Sequence, residues 1–451
     1  MSIYGSIYRK AVWPLYAALR GQNTPRLLQS ADQRQWLTPH HLAEFQFGEL
    51  QQLLRHAATQ SPWYCERFAK FGLTPEAIGS LSDFKKLPLL TKDEIRQNRK
   101  QMLVANYRGC GYSHNTGGST GAPLQFYVSR NSYEWRMAMS LRGYGWAGCA
   151  DGDRQFYVWG QPIGTPPLKQ RLKNRLHMEI LRHRIFSSFQ FSNAGMVECI
   201  RQLNAFRAVT VIGYTNALCI LAQYILDHKI AIAPPHAVIT AAEGVNSLQR
   251  ETIEQAFGAP VFASYGCREF MLIAMECEQH HGLHLNVDNL LVEVLVDGRP
   301  AADGEVGEIV ITDLHNFGMP FIRYKIGDMG VLTNRQCPCG RGLPLLERVE
   351  GRMLDVIRTP DGKILPGEFF PHLMKEFRSV RQFQVIQKEL HELQIKLVLA
   401  PGDSTADLQC MRTEVQRVAG DVLHVTYEIV PDIPLTTSGK FRVTVSEIAN
   451  S

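Results

Sequence analysis

The chain has 451 residues, 45% of them hydrophobic and 20% charged, and a net charge of +5 from 48 Lys plus Arg against 43 Asp plus Glu. That make-up fits a globular protein with sizeable cores and length for about three domains. The positive excess is small and no basic run interleaves with aromatics, which argues against a nucleic-acid partner. No apolar run approaches the roughly 18 residues of a membrane span.

The N-terminus, Ile3 to Arg20, mixes Tyr, Trp, Leu and Ala with Arg9, Lys10 and Arg20. Its apolar stretch, Ala11 to Leu19, is short and contains Pro14, so it reads as a packed helix rather than a signal peptide. A membrane-surface helix is the other reading. Residues 1–110 are expected to be mainly helical, with apolar positions Leu42, Phe45, Leu50, Leu53 and Leu54 forming a helical stripe. Cys65, Cys110, Cys149, Cys199, Cys219, Cys267 and Cys410 are scattered. In a chain of this size that pattern points to reduced thiols and a cytoplasmic location.

Next comes Thr116-Gly-Gly-Ser-Thr-Gly-Ala-Pro123, dense in glycine and hydroxyl residues. Such a loop can wrap backbone amides around phosphate oxygens, or it can be a plain surface turn. Asn131 to Tyr144 reads as a helix and Arg154 to Trp159 as a strand. From there strand and helix alternate: Val209–Ile212, Ala217–His228, Ala237–Thr240, a helix capped by Asn246 or Ser247 and ended by Gly258, then Val261–Ser264. That rhythm predicts an α/β core with buried parallel strands. Glu269 follows the last of these strands after Tyr265-Gly266. It could hold Mg²⁺ near a strand end, or be an exposed glutamate opening a helix.

After residue 284 the strands Leu290–Val296 and Gly307–Thr312 suggest an antiparallel, β-rich subdomain. Asp328, after Gly327, reads as a turn residue that could accept ribose hydroxyls or merely close the turn. Cys337-Pro-Cys339, with Cys277 and His284 upstream, offers three thiols and an imidazole for a closed tetrahedral zinc site. His281 is the alternative fourth ligand, and buried cysteines in a tight turn are the other reading. A break near Gly351-Arg352 precedes about 100 residues of α+β pattern that end in Thr437-Ser-Gly-Lys440.

Taken in order, Thr116-Gly-Gly-Ser-Thr-Gly, Tyr265-Gly-x-x-Glu269, Arg323-Tyr-Lys-x-Gly-Asp328, Gly351-Arg352 and Thr437-Ser-Gly-Lys440 resemble the adenylate-forming superfamily. Phe84-x-x-Leu87-Pro88-x-x-Thr91-Lys92, Cys337-Pro-Cys-Gly-Arg341 and Gly266-Cys-Arg-Glu269 resemble its phenylacetate–CoA ligase and CapK-like branch. The resemblance covers about residues 40–450. It implies a large α/β N-terminal domain, 1–350, with a β-rich subdomain, and a small mobile α+β domain, 351–451. It also implies an AMP-forming ligase acting on a carboxylic acid, with ATP, Mg²⁺ and a thiol acceptor, usually coenzyme A; the alternatives are a carrier-protein or amine acceptor in polysaccharide or natural-product biosynthesis, or a non-catalytic relative in such a pathway. By the same resemblance, Thr116, Gly117, Gly118, Ser119, Thr120 and Gly121 hold phosphates, and Ala241, Ala242 and Glu243 line the adenine pocket. Tyr265 and Gly266 lie near the base, and Glu269 holds Mg²⁺. Asp328 binds ribose, Arg352 assists there, and Lys440 meets the attacking carboxylate and the α-phosphate. Some members of the branch also carry zinc at the cysteine turn. Two positions depart from the pattern: Ala122 replaces a lysine of the phosphate loop, and Leu354 replaces a charged hinge residue.

Overall fold

The computed structural model describes residues 3–448 apart from 105, 107–110, 117–123, 161–166, 351–356, 363, 366–368, 375–376, 378, 400–404, 421 and 434–442. The chain forms two compact units. One comprises Met1–His114, Gln125–Asp151 and Phe262–Gly351, and the other Asn115–Leu124, Gly152–Val261 and Arg352–Ser451.

In the first unit, the helix Pro39–Gln60 buries Leu42, Leu50, Leu53, Leu54 and Ala57, one stripe of the helical repeat. Thr91 caps Lys92–Met102 with Glu94 answering in a capping box. The N-terminal segment is the expected helix, continuous from Ile3 to Leu19 and widened to a π-helix over Tyr8–Val12, but it is sparsely packed. Only Gly5, Tyr8 and Ala17 of these are buried, while Ile3, Leu15 and Leu19 are exposed.

The same unit holds an antiparallel sheet in the order 299–300, 290–296, 306–313, 324–333, 345–350, 283–285, 271–276, 261–267. The antiparallel region therefore begins at Val261, earlier than the sequence suggests. The strand Val261–Cys267 turns straight back into Met271–Glu276, so no helix follows it and Glu269 stands in a hairpin turn. A buried ionic cluster anchors the unit: Arg142 meets Asp288 at 2.6 Å and Asn286 at 2.8 Å, and Arg34 meets Asp288 at 2.5 Å. Burial alone would raise the Asp288 carboxyl, but the two guanidinium groups hold it below its ordinary value.

The second unit carries the predicted parallel strands, in the order 237–241, 210–214, 155–159, 183–187. Phe156, Val158, Val211, Tyr214 and Val238 from the strands pack with Ile200, Leu203, Leu221 and Phe257 from the helices. The Ser247–Phe257 helix begins at the expected cap, Asn246, and ends on Gly258 at φ +61°. The C-terminal part of this unit is a 4-stranded sheet ordered 424–429, 392–399, 380–389, 444–446, with the helices Phe369–Met374 and Thr405–Ala419. Phe383, Val385, Ile395, Leu397, Met411 and Val415 make its core.

Candidate functional site

In the first unit the hairpin Val261–Cys267 and Met271–Glu276 carries a register shift at Tyr265/Gly266. A Cβ on Gly266 would stand 2.1 Å from the Met271 carbonyl oxygen, so only glycine fits there. The irregularity leaves the Tyr265 hydroxyl 3.0 Å from Asp328 Oδ2, to which it donates. Asp328 is not in a turn. It lies within the strand Tyr324–Thr333, where Ile326, Gly327 and Asp328 stand opposite Ile309 alone, the register with Val306–Asp313 shifts by two residues, and Gly327 adopts φ +87°. This bulge aims a strand carboxylate that regular pairing would place elsewhere.

Glu269 is buried, at 6% exposure, and its Oε1 accepts a hydrogen bond of 3.1 Å from the Tyr324 hydroxyl. Burial, and then the nearby carboxylates of Glu269 and Asp328, push the Cys267 thiol well above its ordinary value. Tyr265, Glu269 and Asp328 are therefore gathered around one point of the sheet. Tyr324 was the residue missed. It sits between Arg323 and Lys325, whose charges drew attention, yet those two serve the framework. Arg323 makes two 3.0 Å bonds to Glu293, and Lys325 meets Glu308 at 2.8 Å.

In the second unit Ala241 ends a buried strand and Ala242 takes φ +70°, a strained value for alanine. The Glu243 carboxylate accepts from the Asn216 backbone N–H and side-chain amide, both at 2.9 Å. Thr215 donates to the Glu243 carbonyl at 2.8 Å. Although Glu243 as a residue is only partly buried, burial of its carboxyl raises it to about 7, against the opposing pull of Asn216. Asn216, which opens the helix Thr215–Asp227, is a second residue that sequence reasoning did not find; no motif links it to Glu243. Thr116 is nearly buried and closes the neck of the glycine-rich loop. Its hydroxyl accepts from Leu124 N–H at 2.8 Å, and its own N–H donates to the Leu124 carbonyl at 2.9 Å. Gly117, Gly118, Ser119, Thr120, Gly121, Ala122, Arg352, Leu354 and Lys440 lie outside the described residues.

The sheet of the first unit also assembles the cysteine turn. His284, on the short strand Leu283–Leu285, pairs with Met275 on one side and Leu345 on the other. Cys277 follows the first neighbour, and Cys337 and Cys339 precede the second. The ligand atoms of Cys277, His284, Cys337 and Cys339 all lie within 4.8 Å of one another. Cys277 and Cys337 Sγ are 3.6 Å apart, and Cys339 Sγ is 3.3 Å from His284 Nε2. A tetrahedral ion with sulfur near 2.3 Å and nitrogen near 2.0 Å sets such atoms roughly 3.5–3.8 Å apart, so the four fit a metal. Burial lowers His284 to about 4, keeping the ring neutral, and its Nδ1 faces the Leu343 carbonyl at 3.4 Å. Burial would raise the Cys339 thiol, but hydrogen bonds from Arg341 and Cys337 and the Arg341 charge bring it below the usual value. His281 is exposed, and among the described residues the ligand group contains His284 instead.

This architecture is similar in fold to that of a solved CoA ligase. The solved structure of 2-hydroxyisobutyryl-CoA ligase with 2-HIB-AMP and CoA, in the thioesterification state, matches with a TM-score of 0.63 at 21% identity, covering 92% of each chain. Residues 357–447 match the CapK C-terminal domain family. Protein CapK of Staphylococcus aureus is 26% identical over 421 residues, 90% of each chain. The phenylacetate–CoA ligase of Escherichia coli (strain K12) is 26% identical over 348 residues, 74% of this chain and 76% of that one. The chain is thus similar to CapK and to the phenylacetate–CoA ligases, and its fold is similar to that of a CoA ligase.

Proposed function

We propose that this protein activates a carboxylic acid with ATP, forming an acyl-adenylate and releasing pyrophosphate, and then transfers the acyl group to the thiol of coenzyme A. The observation that carries the reading is the gathering of Tyr265, Glu269 and Asp328, with the tyrosine hydroxyl held 3.0 Å from the Asp328 carboxylate. The similarity to acid–CoA ligases over 74% of the chain in sequence and 92% in fold supports it. A carboxylate is already a nucleophile, so the chemistry needs alignment of two anions and neutralisation of charge rather than a general base.

In this reading Asp328 accepts the ribose hydroxyls and Tyr265 orients that carboxylate. Ala241, Ala242 and Glu243 line the adenine, and Arg352 assists at the ribose or phosphates. Thr116, Gly117, Gly118, Ser119, Thr120 and Gly121 surround the β- and γ-phosphates, with Thr116 fixing the neck of their loop. Lys440 bridges the attacking carboxylate and the α-phosphate. Glu269 would hold Mg²⁺, which when bound neutralises phosphate charge; Tyr324 keeps this carboxylate oriented. Cys277, His284, Cys337 and Cys339 would hold a structural zinc ion, because four protein ligands leave no position for substrate. The domain 351–451 is taken as the part that rotates between the two half-reactions, and the scattered thiols favour the cytoplasm. Among the described residues no helix is long and apolar enough to cross a membrane.

A second reading keeps the adenylation and changes the acceptor to a carrier-protein thiol or an amine. Leu354, in place of a charged hinge residue, bears on the rotation before transfer, whereas Ala122 bears on phosphate binding in either reading. The test is AMP formation across a panel of aryl and alkyl carboxylates, with CoA or holo carrier protein added in turn. Acid-dependent AMP and an acyl-CoA product support the first reading. Adenylate that is discharged only by carrier protein or amine supports the second, and no acid-dependent AMP with any substrate contradicts both.

A further inference from the structure

The helix Leu168–Leu181 differs from its neighbours in the second unit. The helix Asn193–Phe206 buries Met196, Cys199, Ile200 and Leu203, and Thr215–Asp227 buries Leu218, Leu221 and Ile225. Leu168–Leu181 is as rich in leucine, yet it buries none of its residues. Leu168 is 79% exposed, Leu172 70% and Leu176 62%. Spaced four apart, they advance only about 40° per step and form one slowly winding ridge. Single exposed leucines are ordinary, but a periodic line of them is not. Lys169, Arg171, Lys173 and Arg175 occupy the same turns and are all exposed. The one acidic residue of the helix, Glu179, is paired with Arg184 at 2.8 Å.

We propose that this helix is a docking surface for a lipid bilayer bearing anionic headgroups, on which it lies in the plane of the interface. Its 14 residues span about 21 Å, too short to cross the hydrocarbon core. Leucines on one arc with cations beside them are the make-up of an interfacial helix. The position of Lys169 selects lipid over a protein groove. On the helical wheel it falls between Leu176 and Ile180, within the apolar arc, whereas Glu179 falls between Leu168 and Leu172 with its charge met by Arg184. A dry protein groove would bury that ammonium, whereas at a bilayer its stem follows the acyl boundary and the charge rises to the phosphates. The other cations meet anionic headgroups within a Debye length of the surface.

The test is flotation of the full-length protein with vesicles of phosphatidylcholine alone and of phosphatidylcholine mixed with phosphatidylglycerol. The wild type is expected to float with the mixed vesicles, at least roughly tenfold more than with the neutral ones, and to be released by high salt. The double variant Leu172→Glu, Leu176→Glu loses this binding with an unchanged thermal midpoint, because both side chains are exposed. A second variant, with Lys169, Arg171, Lys173 and Arg175 each changed to Gln, weakens binding to mixed vesicles alone. No flotation of the wild type, equal flotation on both vesicles, or an unaltered double variant overturns the proposal. So does a wild-type dimer in light scattering that the double variant dissociates without any lipid binding, which would make the ridge a contact between two copies.

Discussion

Asp328 and Glu243 are both carboxylates assigned to the nucleotide, but their surroundings differ. Asp328 is aimed by a strand bulge and by the Tyr265 hydroxyl. Asp328→Ala should lower kcat/KM for ATP by about 100-fold, or roughly 2.7 kcal/mol, while the thermal midpoint changes little. Steady-state kinetics with unchanged ATP dependence would remove Asp328 from the site. Glu243 is different because burial raises its carboxyl from 4.5 to about 7. The folded protein then keeps a proton that the unfolded chain releases near 4.5. Stability is therefore unaffected below that value and declines as pH rises towards 7. Glu243→Gln should abolish this decline, and in urea titrations it should gain roughly 1–2 kcal/mol relative to wild type between pH 5 and 7.5. A pH-independent difference between the two proteins would contradict the assignment. Tyr265, Glu269 and Asp328 were legible in the sequence because their spacings belong to family motifs. Asn216 and Tyr324 were not. Each acts through a hydrogen bond to a residue 27 or 55 positions away, a relation that only the fold creates.

At the scale of elements, the helices and parallel strands could be read from periodicity and caps, as at Asn246 and Gly258. The bulges could not: the two extra residues in Tyr324–Thr333 preserve its alternation, and the one-residue shift at Tyr265/Gly266 falls too near the strand end to leave a pattern. That is why Asp328 reads as a turn residue and Glu269 as a helix start, when one stands in a strand and the other in a hairpin. The Gly266 bulge should be intolerant of a side chain: Gly266→Ala puts a Cβ against the Met271 carbonyl and should cost roughly 1–3 kcal/mol of stability, with a larger fractional loss of activity. A denaturation midpoint equal to wild type would show that the hairpin can relax there. The cysteine turn was legible because thiols one residue apart are conspicuous, while His284 over His281 was decided by pairing with Met275 and Leu345. Protein purified without chelator should contain about one equivalent of zinc, and Cys337→Ser with Cys339→Ser should lose it and melt earlier. Metal analysis finding less than about a tenth of an equivalent would leave the turn as packed thiols.

For the whole molecule, the chain forms two compact units: Tyr265, Glu269 and Asp328 lie in the first, and Thr116 and Ala241–Glu243 in the second. The sequence announces this division only indirectly, through a change of strand pattern, because a unit assembled from three separate stretches has no local signature. The account stands on acid-dependent attack at the α-phosphate of ATP, and isotope exchange between pyrophosphate and ATP measures that step without requiring the acyl acceptor. Exchange that appears only when a suitable aryl or alkyl carboxylate is added, and that falls at least about 100-fold in both Asp328→Ala and Lys440→Ala, is the predicted result. Exchange that is absent with every acid, together with no calorimetric ATP binding by the wild type, would contradict it.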